Sequence, residues 1–230
     1  MIADKQTPWL SNFVKTAAFL SIEVAGQPTY RKEMQLWGIT GLMGAGKSQA
    51  RSYLESKNYP AIDADAVARV LLSAQFPLNL EKLKELFGPQ VLKSATEVDR
   101  TLIRSQISTD DSLRKKFESW LHPLIRLYNE DLEAQWRKSG AKIAFIEGTR
   151  LVESGATERL DGLILVTCDE AIRVERLKAR AEMSPEEQSR LAKTQNLELM
   201  RKHATLEWDN SRRLVDLKQQ IDRFLSELAK

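Results

Sequence analysis

Four short runs of apolar residues predict buried β-strands, because each run is too short to form a core helix. They are Leu36–Thr40, Pro60–Asp63, Lys142–Glu147 and Gly162–Thr167. Helical periodicity fills the chain between them, beginning with residues 48–57 after the first strand. Strands that alternate with helices predict an α/β fold, in which helices cover both faces of a parallel sheet.

The chain between the second and third predicted strands is 78 residues long, more than one crossover helix requires. A helical insertion is therefore expected over about residues 70–138. Pro123 is predicted to begin a new helix and to end the preceding one at Leu121–His122. The residues expected to form one buried face of the new helix are Leu124, Tyr128, Leu132 and Trp136.

The last predicted element is an amphipathic closing helix from Leu214 to Leu228. At the other end, the first 33 residues stand apart, because strand-like patterning begins only at Met34–Gln35. They are either a genuine N-terminal extension or the product of an upstream start site with Met34 as initiator. Residues 13–22 are apolar, but Lys15 interrupts them and no clear cleavage site follows, so a secretory signal is not expected.

Composition narrows the class of protein. Of 230 residues, 42% are apolar and 29% are charged, which excludes disorder and collagen-like repeats. The 35 Lys and Arg residues exceed the 32 Asp and Glu residues by only three, too few to predict nucleic-acid binding. No apolar run is long enough for a membrane span. One cysteine, Cys168, cannot form an internal disulfide, so a cytoplasmic location is expected. The sequence leaves the oligomeric state open.

A phosphate-binding loop is the strongest motif. Residues 41–48 read G-L-M-G-A-G-K-S and fit G-x-x-x-x-G-K-[ST] between a predicted strand and a predicted helix. Glycines allow positive φ, which turns successive N–H groups toward phosphate oxygens, and the helix start adds positive charge. Lys47 is expected to reach the β- and γ-phosphates, and the Ser48 hydroxyl to bind Mg²⁺. The expected nucleotide contacts are Gly41, Gly44, Ala45, Gly46, Lys47, Ser48 and Gln49.

Carboxylates end two of the predicted strands. Asp63 ends the second strand and Asp65 follows it, at the sheet edge where ligands bind in such folds. A carboxylate there can accept a proton from a substrate hydroxyl or hold Mg²⁺ through water. Both lie on one face if the strand continues; otherwise one caps the helix expected from Ala66. Glu147 ends the third strand and either acts on Mg²⁺ through water or lies in solvent.

Taken in chain order, these and later motifs resemble the dephospho-CoA kinase family over about residues 35–230. The phosphate loop comes first, and I-D-A-D-A-V-A-R at residues 62–69 resembles the family's A-D-x-x-A-R. Leu86–Gly88 with Val98–Arg100 resembles its F-G and l-D-R segments, and His122–Arg126 resembles H-P-x-x-R. The last matches are Arg176, Arg180 and Gln195, which resemble two lid arginines and a later glutamine, and Asp209–Asn210, which resembles a D-N pair.

The resemblance implies a P-loop kinase with a parallel sheet flanked by helices, a helical substrate-binding insertion and a short helical lid. It implies one kinase domain over residues 34–230. The core of that domain comprises residues 34–69 and 139–170, and the substrate insertion comprises about 70–138. The lid follows at about 171–196, and the C-terminal core helices at 197–230. The implied reaction is ATP-dependent phosphorylation of the 3′-hydroxyl of dephospho-CoA, the last step of CoA biosynthesis. The implied ligands of the enzyme are ATP, Mg²⁺ and dephospho-CoA, and neither nucleic acid nor a membrane is an expected partner.

Residue roles carry over from the same resemblance. Asp65 is implied as the general base, and either Arg176 or Arg180 as the arginine on the γ-phosphate. These two arginines share a helix face with Arg173, at spacing i, i+3, i+7, although such a face is also typical of a solvated helix. Asn210 is implied to bind nucleotide. Substrate contacts are implied for Asp63, Arg69, His122 and Arg126; a histidine before proline is otherwise typical of a structural hydrogen-bonding residue.

The chain departs from the family pattern at three places. Gln49 replaces a usual threonine, Thr149–Glu153 replaces P-L-L-x-E, and Ser211–Arg213 replaces a small segment implied to lie near the adenine. Two alternatives therefore stay open: a kinase of the shikimate or gluconate type, and a degenerate ATP-binding module without transferase activity. The long insertion and the H-P-x-x-R motif favour the dephospho-CoA kinase interpretation.

Overall fold

The computed structural model describes residues 34–73, 76–95, 97–179 and 195–228, and the predicted N-terminal extension lies outside them. These residues form five β-strands and eight α-helices, numbered here in chain order. The strands are β1 (Gln35–Thr40), β2 (Ala61–Asp63), β3 (Ile143–Glu147), β4 (Gly162–Thr167) and β5 (Leu206–Asp209). The helices are α1 (Lys47–Ser56), α2 (Ala64–Leu71), α3 (Pro77–Phe87), α4 (Arg100–Thr109), α5 (Asp111–Lys138), α6 (Glu170–Lys178), α7 (Leu197–His203) and α8 (Leu214–Leu228), with 3₁₀ turns at Pro89–Val91 and Ala156–Arg159.

All strand pairs are parallel, and the order across the sheet is β2-β3-β1-β4-β5. The predicted α/β fold with a parallel sheet is confirmed, and the four predicted strands become β1 to β4 with small shifts at their ends. The fifth strand was not predicted. Only Trp208 of its four residues is buried, so it has no continuous apolar run.

Both faces of the sheet are buried. Successive side chains of β1 point to opposite faces of the sheet, and both sets lie in apolar clusters. The side chains of Trp37 and Ile39 join one cluster, whereas Leu36 joins the cluster on the opposite face. The first cluster also includes side chains of α1 (Ala50 and Leu54) and of α8 (Leu217, Ile221 and Phe224). The second contains Ala144, Ile146, Leu151 and Leu163, with Trp136 and Leu160 packed against it. The closing helix α8 therefore covers the sheet with the face expected from the sequence, although Leu214 at its start is exposed.

The chain divides into two compact units, one of residues 65–135 and one of residues 34–64 with 136–228. The sheet, α1, α6, α7 and α8 belong to the second unit. The first contains α3 and α4 and most of α2 and α5. In the residues described, no helix combines the length and apolar character needed to cross a membrane.

The predicted helix break before Pro123 is wrong, because α5 continues through it. Proline removes the N–H that would bond the carbonyl of Ser119, but both residues are exposed and water can bind that carbonyl instead. The predicted apolar face is correspondingly misplaced: Tyr128 is buried, whereas Leu124, Leu132 and Trp136 are only half-buried. The buried residues of the continuous helix are Phe117, Leu121, Tyr128, Asn129 and Glu133.

Candidate active site

The phosphate loop connects the end of β1 to the start of α1. Gly41, Gly44 and Gly46 adopt positive φ values of 147°, 86° and 103°. At Gly46 the requirement is twofold, because a Cβ there would collide with the side-chain amide of Asn210. Gly46 also precedes α1, and among the described residues no side chain caps that helix. The first turn of α1 can therefore offer its N–H groups to an anion.

Lys47 is buried against the loop that it follows. Its Nζ donates hydrogen bonds to the carbonyls of Gly41, at 2.9 Å, and Leu42, at 3.3 Å. These bonds hold the ammonium on the inner side of the loop, where a bound phosphate can replace a carbonyl as its partner.

Asn210 supports the loop from the end of β5. Its side chain is only 1% exposed, and Nδ2 donates to the carbonyl of Ala45 at 2.9 Å and to Oε1 of Gln49 at 3.0 Å. Its backbone carbonyl accepts a hydrogen bond of 3.1 Å from Nη2 of Arg176. The structure thus brings three sequence-predicted residues together through Asn210, whose amide contacts the loop itself.

Arg173 is a second support of the loop, and no role beyond the shared helix face was predicted for it. The residue is buried, and Nη1 donates to the carbonyl of Met43, inside the loop, at 3.1 Å. Its other nitrogens donate to both carboxylate oxygens of Glu170, at 2.7 and 2.6 Å. The carboxylate fixes the guanidinium and raises the pKa of Arg173. The i, i+3 spacing of Glu170 and Arg173 was the available sequence signal.

Glu147 and Asp63 lie side by side at the carboxyl edge of the sheet, since they are register partners in β3 and β2. Glu147 is buried, and burial raises the pKa of its carboxyl, while the hydrogen bond from Arg51 opposes that rise. The Asp63 charge raises the same pKa and Lys47 lowers it. The strand ends at Asp63 and α2 begins at Ala64, so Asp65 lies in the first turn of a helix rather than on a shared strand face.

The unit of residues 65–135 carries the other predicted substrate residues. Arg69 lies in the last turn of α2. Burial lowers the pKa of Arg100, and the positive charges of Arg69 and Arg104 lower it further. The three arginines therefore form one basic cluster. His122 and Arg126 are both exposed on α5, one turn apart on the same side. Arg180 lies outside the described residues.

An open groove of about 380 Å³ extends from the phosphate loop along α1. Its lining consists of Ser48, Gln49, Ser52, Tyr53, Ser56, Leu214 and Lys218. The Tyr53 ring has the ammonium groups of Lys57 and Lys218 at 5.2 and 5.0 Å from its centroid. The groove thus joins the predicted Mg²⁺ and nucleotide residues to an aromatic and basic surface.

Within the described part of the chain, no group of three or more His, Cys, Asp or Glu side chains could hold a metal ion alone. Two oxygen donors of the predicted kind lie near the loop: the Ser48 hydroxyl at the start of α1, and the Glu147 carboxylate, which ends β3 and interacts with Lys47. Hard oxygen donors in this number suit Mg²⁺, which usually retains waters and takes further ligands from substrate phosphates.

Comparisons with known proteins identify what the chain is similar to. A family model described as dephospho-CoA kinase matches residues 35–216. A dephospho-CoA kinase of Geobacter sulfurreducens is 32% identical over 190 residues, which cover 82% of this chain and 96% of that protein. A crystal structure from Thermus thermophilus superposes with a TM-score of 0.72 at 32% identity, covering 86% and 99% of the two chains. Dephospho-CoA kinase from Campylobacter jejuni shares the fold, with a TM-score of 0.63 at 24% identity over 84% of this chain and 96% of that one.

Proposed function

The chain belongs to the dephospho-CoA kinase family and phosphorylates the 3′-hydroxyl of dephospho-CoA with ATP; from that premise we propose how its residues divide the work. The proposal depends mainly on the phosphate loop, whose carbonyls accept hydrogen bonds from Asn210 and Arg173. The loop leads into α1, and no described side chain caps that helix. A fixed loop of N–H donors binds a triphosphate without rearranging, which favours transfer.

Lys47 and Arg176 neutralise the charge that is spread over the transferred phosphoryl group. Lys47 exchanges its loop carbonyls for the β- and γ-phosphate oxygens when ATP binds. Arg176 is favoured over Arg180 as the γ-phosphate ligand, because its Nη1 is buried without a partner among the described residues. A buried donor in that state needs an acceptor. An arginine in this role contributes on the order of 10³- to 10⁵-fold to the rate.

Asp65 orients the 3′-hydroxyl and accepts its proton. A loose phosphoryl transition state requires little deprotonation early, so positioning accounts for more of the effect than basicity. General-base assistance contributes roughly 10²- to 10⁴-fold. Asp63 contacts the acceptor beside it, from the tip of β2.

Mg²⁺ fits the oxygen donors near the loop, with Ser48 as direct ligand and Glu147 acting through water. If bound there, Mg²⁺ would neutralise part of the charge on the β- and γ-phosphates. Arg51 keeps the Glu147 carboxylate oriented by its hydrogen bond of 2.8 Å.

The remaining substrate contacts follow from charge and shape. Dephospho-CoA carries a diphosphate, and the cluster of Arg69, Arg100 and Arg104 supplies positive charge for it, with His122 and Arg126 as further contacts. The groove along α1 accommodates the nucleoside of ATP, with Gln49 at its loop end. A cytoplasmic location, where ATP is available, belongs to the same proposal.

A coupled assay of ADP formation tests the proposal. We expect ADP to appear only when dephospho-CoA is added, and the product to carry a new 3′-phosphate. A panel with shikimate and gluconate as acceptors addresses the alternative kinases. ATP turnover that is indifferent to dephospho-CoA, or saturable ATP binding without transfer to any acceptor, would refute it.

A further inference from the structure

Gln195 lies next to the phosphate loop although no function has been given to it. Its Oε1 accepts a hydrogen bond of 3.0 Å from the backbone N–H of Met43, a loop residue 152 positions earlier. A backbone N–H can only donate, so the amide oxygen of Gln195 must face Met43. The orientation of the amide is therefore fixed, and Nε2 points away from the Met43 N–H.

The Nε2 atom of Gln195 is buried and has no hydrogen-bond partner within the described residues. Native proteins rarely leave a buried donor without an acceptor, and the exceptions frequently mark a ligand. The Nη1 atom of Arg176 is likewise buried without a hydrogen-bond partner among the described residues. Arg176 donates to the backbone carbonyl of Asn210, whose side-chain amide donates to the loop carbonyl of Ala45. Two unsatisfied donors thus belong to side chains that are linked to the phosphate loop by hydrogen bonds.

We propose that Gln195 is a nucleotide-binding residue, whose Nε2 donates to a phosphate oxygen of ATP while its Oε1 holds the Met43 N–H. An anionic acceptor is the one that the loop itself attracts, through its N–H groups, the start of α1 and Lys47. The inference rests on the proposed function, since it takes the loop to be the triphosphate site. It adds a ligand that reaches the phosphates from the chain segment before α7.

Two substitutions separate this role from simple support of the loop. Gln195→Glu keeps an acceptor for the Met43 N–H but replaces the donor with a negatively charged oxygen. Gln195→Leu removes both interactions. If Nε2 binds phosphate, Gln195→Glu weakens ATP binding by at least about tenfold and by more than Gln195→Leu does, because it adds repulsion to the lost bond. If Gln195 only supports Met43, the order is reversed, because Gln195→Glu keeps an acceptor for the Met43 N–H and Gln195→Leu loses it.

Calorimetric titration of the full chain with ATP, ADP and adenosine, without dephospho-CoA, gives the readout. The proposal predicts that adenosine binding is unchanged in Gln195→Glu, and a comparison of ATP with ADP shows which phosphate accepts the bond. Gln219→Glu, an identical change on the exposed face of α8, is the matched control and should bind ATP normally. Equal ATP affinity in Gln195→Glu and the unaltered protein, or a larger loss in Gln195→Leu, overturns the proposal.

If Gln195→Glu does not fold, as judged by circular dichroism, side-chain amide NMR replaces it. In protein labelled with ¹⁵N-glutamine, the Gln195 amide signal is assigned by its disappearance in Gln195→Leu. ATP should shift that signal and adenosine should not; equal shifts would refute the role. Because these measurements omit dephospho-CoA, their failure is distinguishable from a failure of the coupled assay.

Discussion

The Nε atom of Arg51 lies 2.8 Å from Oε2 of Glu147, a contact that joins the helix after the phosphate loop to the end of β3. Arg51 also bonds Glu55 at 2.6 Å, so its guanidinium is fixed from both sides. The Glu147 side chain is 10% exposed and has Asp63 as its register neighbour. Burial and a like charge favour the protonated acid, and Arg51 is the main opposing interaction.

Replacing Arg51 by Met should therefore destabilise the protein in a pH-dependent way. The pKa of Glu147 is raised in the folded state, so its contribution to stability is present below the unfolded pKa and is lost as pH rises through the folded value. Arg51→Met raises that pKa further. The resulting loss of unfolding free energy should grow as pH rises above the ordinary carboxyl pKa of 4.5 and through the raised pKa of Glu147, to about 1–3 kcal/mol.

Urea denaturation across this pH range, without Mg²⁺, measures the effect of Arg51→Met. In a Glu147→Gln background the pH dependence should vanish, because the titrating group is absent. Arg114→Met, which removes an exposed pair with Asp111, is the control and should change stability much less than Arg51→Met does, at any pH. A pH-independent loss for Arg51→Met would contradict the assignment.

Gly46→Ala should abolish most ATP binding and also lower stability. The new Cβ meets the Asn210 amide, and φ of 103° disfavours any L-residue. Adding Asn210→Ala should restore part of the stability by relieving the collision, but not the backbone strain. Gly140→Ala is a matched control, because Gly140 has φ of 82° with no atom near its Cβ position. It should cost only about 1–2 kcal/mol in urea denaturation and leave ATP affinity intact.

Asp65→Asn should lower kcat by roughly 10²- to 10⁴-fold and leave the affinity for ATP unchanged. The reason is that an amide can still accept a hydrogen bond from the 3′-hydroxyl but cannot take its proton. Asp63→Asn should instead act mainly on the KM for dephospho-CoA. Steady-state kinetics with calorimetric ATP binding separate the two, and an unchanged kcat in Asp65→Asn would exclude the base assignment.

Ionisation of Tyr128 should lower the free energy of unfolding at high pH. Burial raises the pKa of its phenol to about 12, and the Asp131 charge adds to this. An acid with a raised folded pKa stabilises the fold below its unfolded pKa, and that contribution is lost as pH rises from about 10 to 12. The unfolding free energy of Tyr128→Phe should therefore fall less than that of the unaltered protein over this range. Parallel curves in urea denaturation would show that Tyr128 is not the group concerned.

The elements that sequence predicted best are those with local causes. The buried runs of β1, β3 and β4 and the glycines of the phosphate loop determine their conformation within a few residues. By contrast, β5 was missed because pairing with β4, rather than its own apolar content, makes it a strand. The break at Pro123 was wrong because solvent exposure, which local pattern does not show, allows the helix to continue.

The same distinction holds in the candidate site. Residues that bear motif chemistry, such as Lys47 and Ser48, were predicted from spacing alone. The contacts of Arg173 with Met43 and of Arg51 with Glu147 were not predicted, because these partners are 130 and 96 positions apart in sequence. Only a folded sheet brings such residues together.

The order of strands also has a consequence for synthesis of the chain. The strand that leads into the phosphate loop is in the middle of the sheet, and both of its neighbours, β3 and β4, are translated more than a hundred residues later. Asn210, which holds the loop carbonyl of Ala45, follows it by 165 positions. A nascent chain therefore carries the whole phosphate-loop motif long before the residues that support the loop have been translated, and we expect ATP to stabilise the protein only after Asn210 has been added.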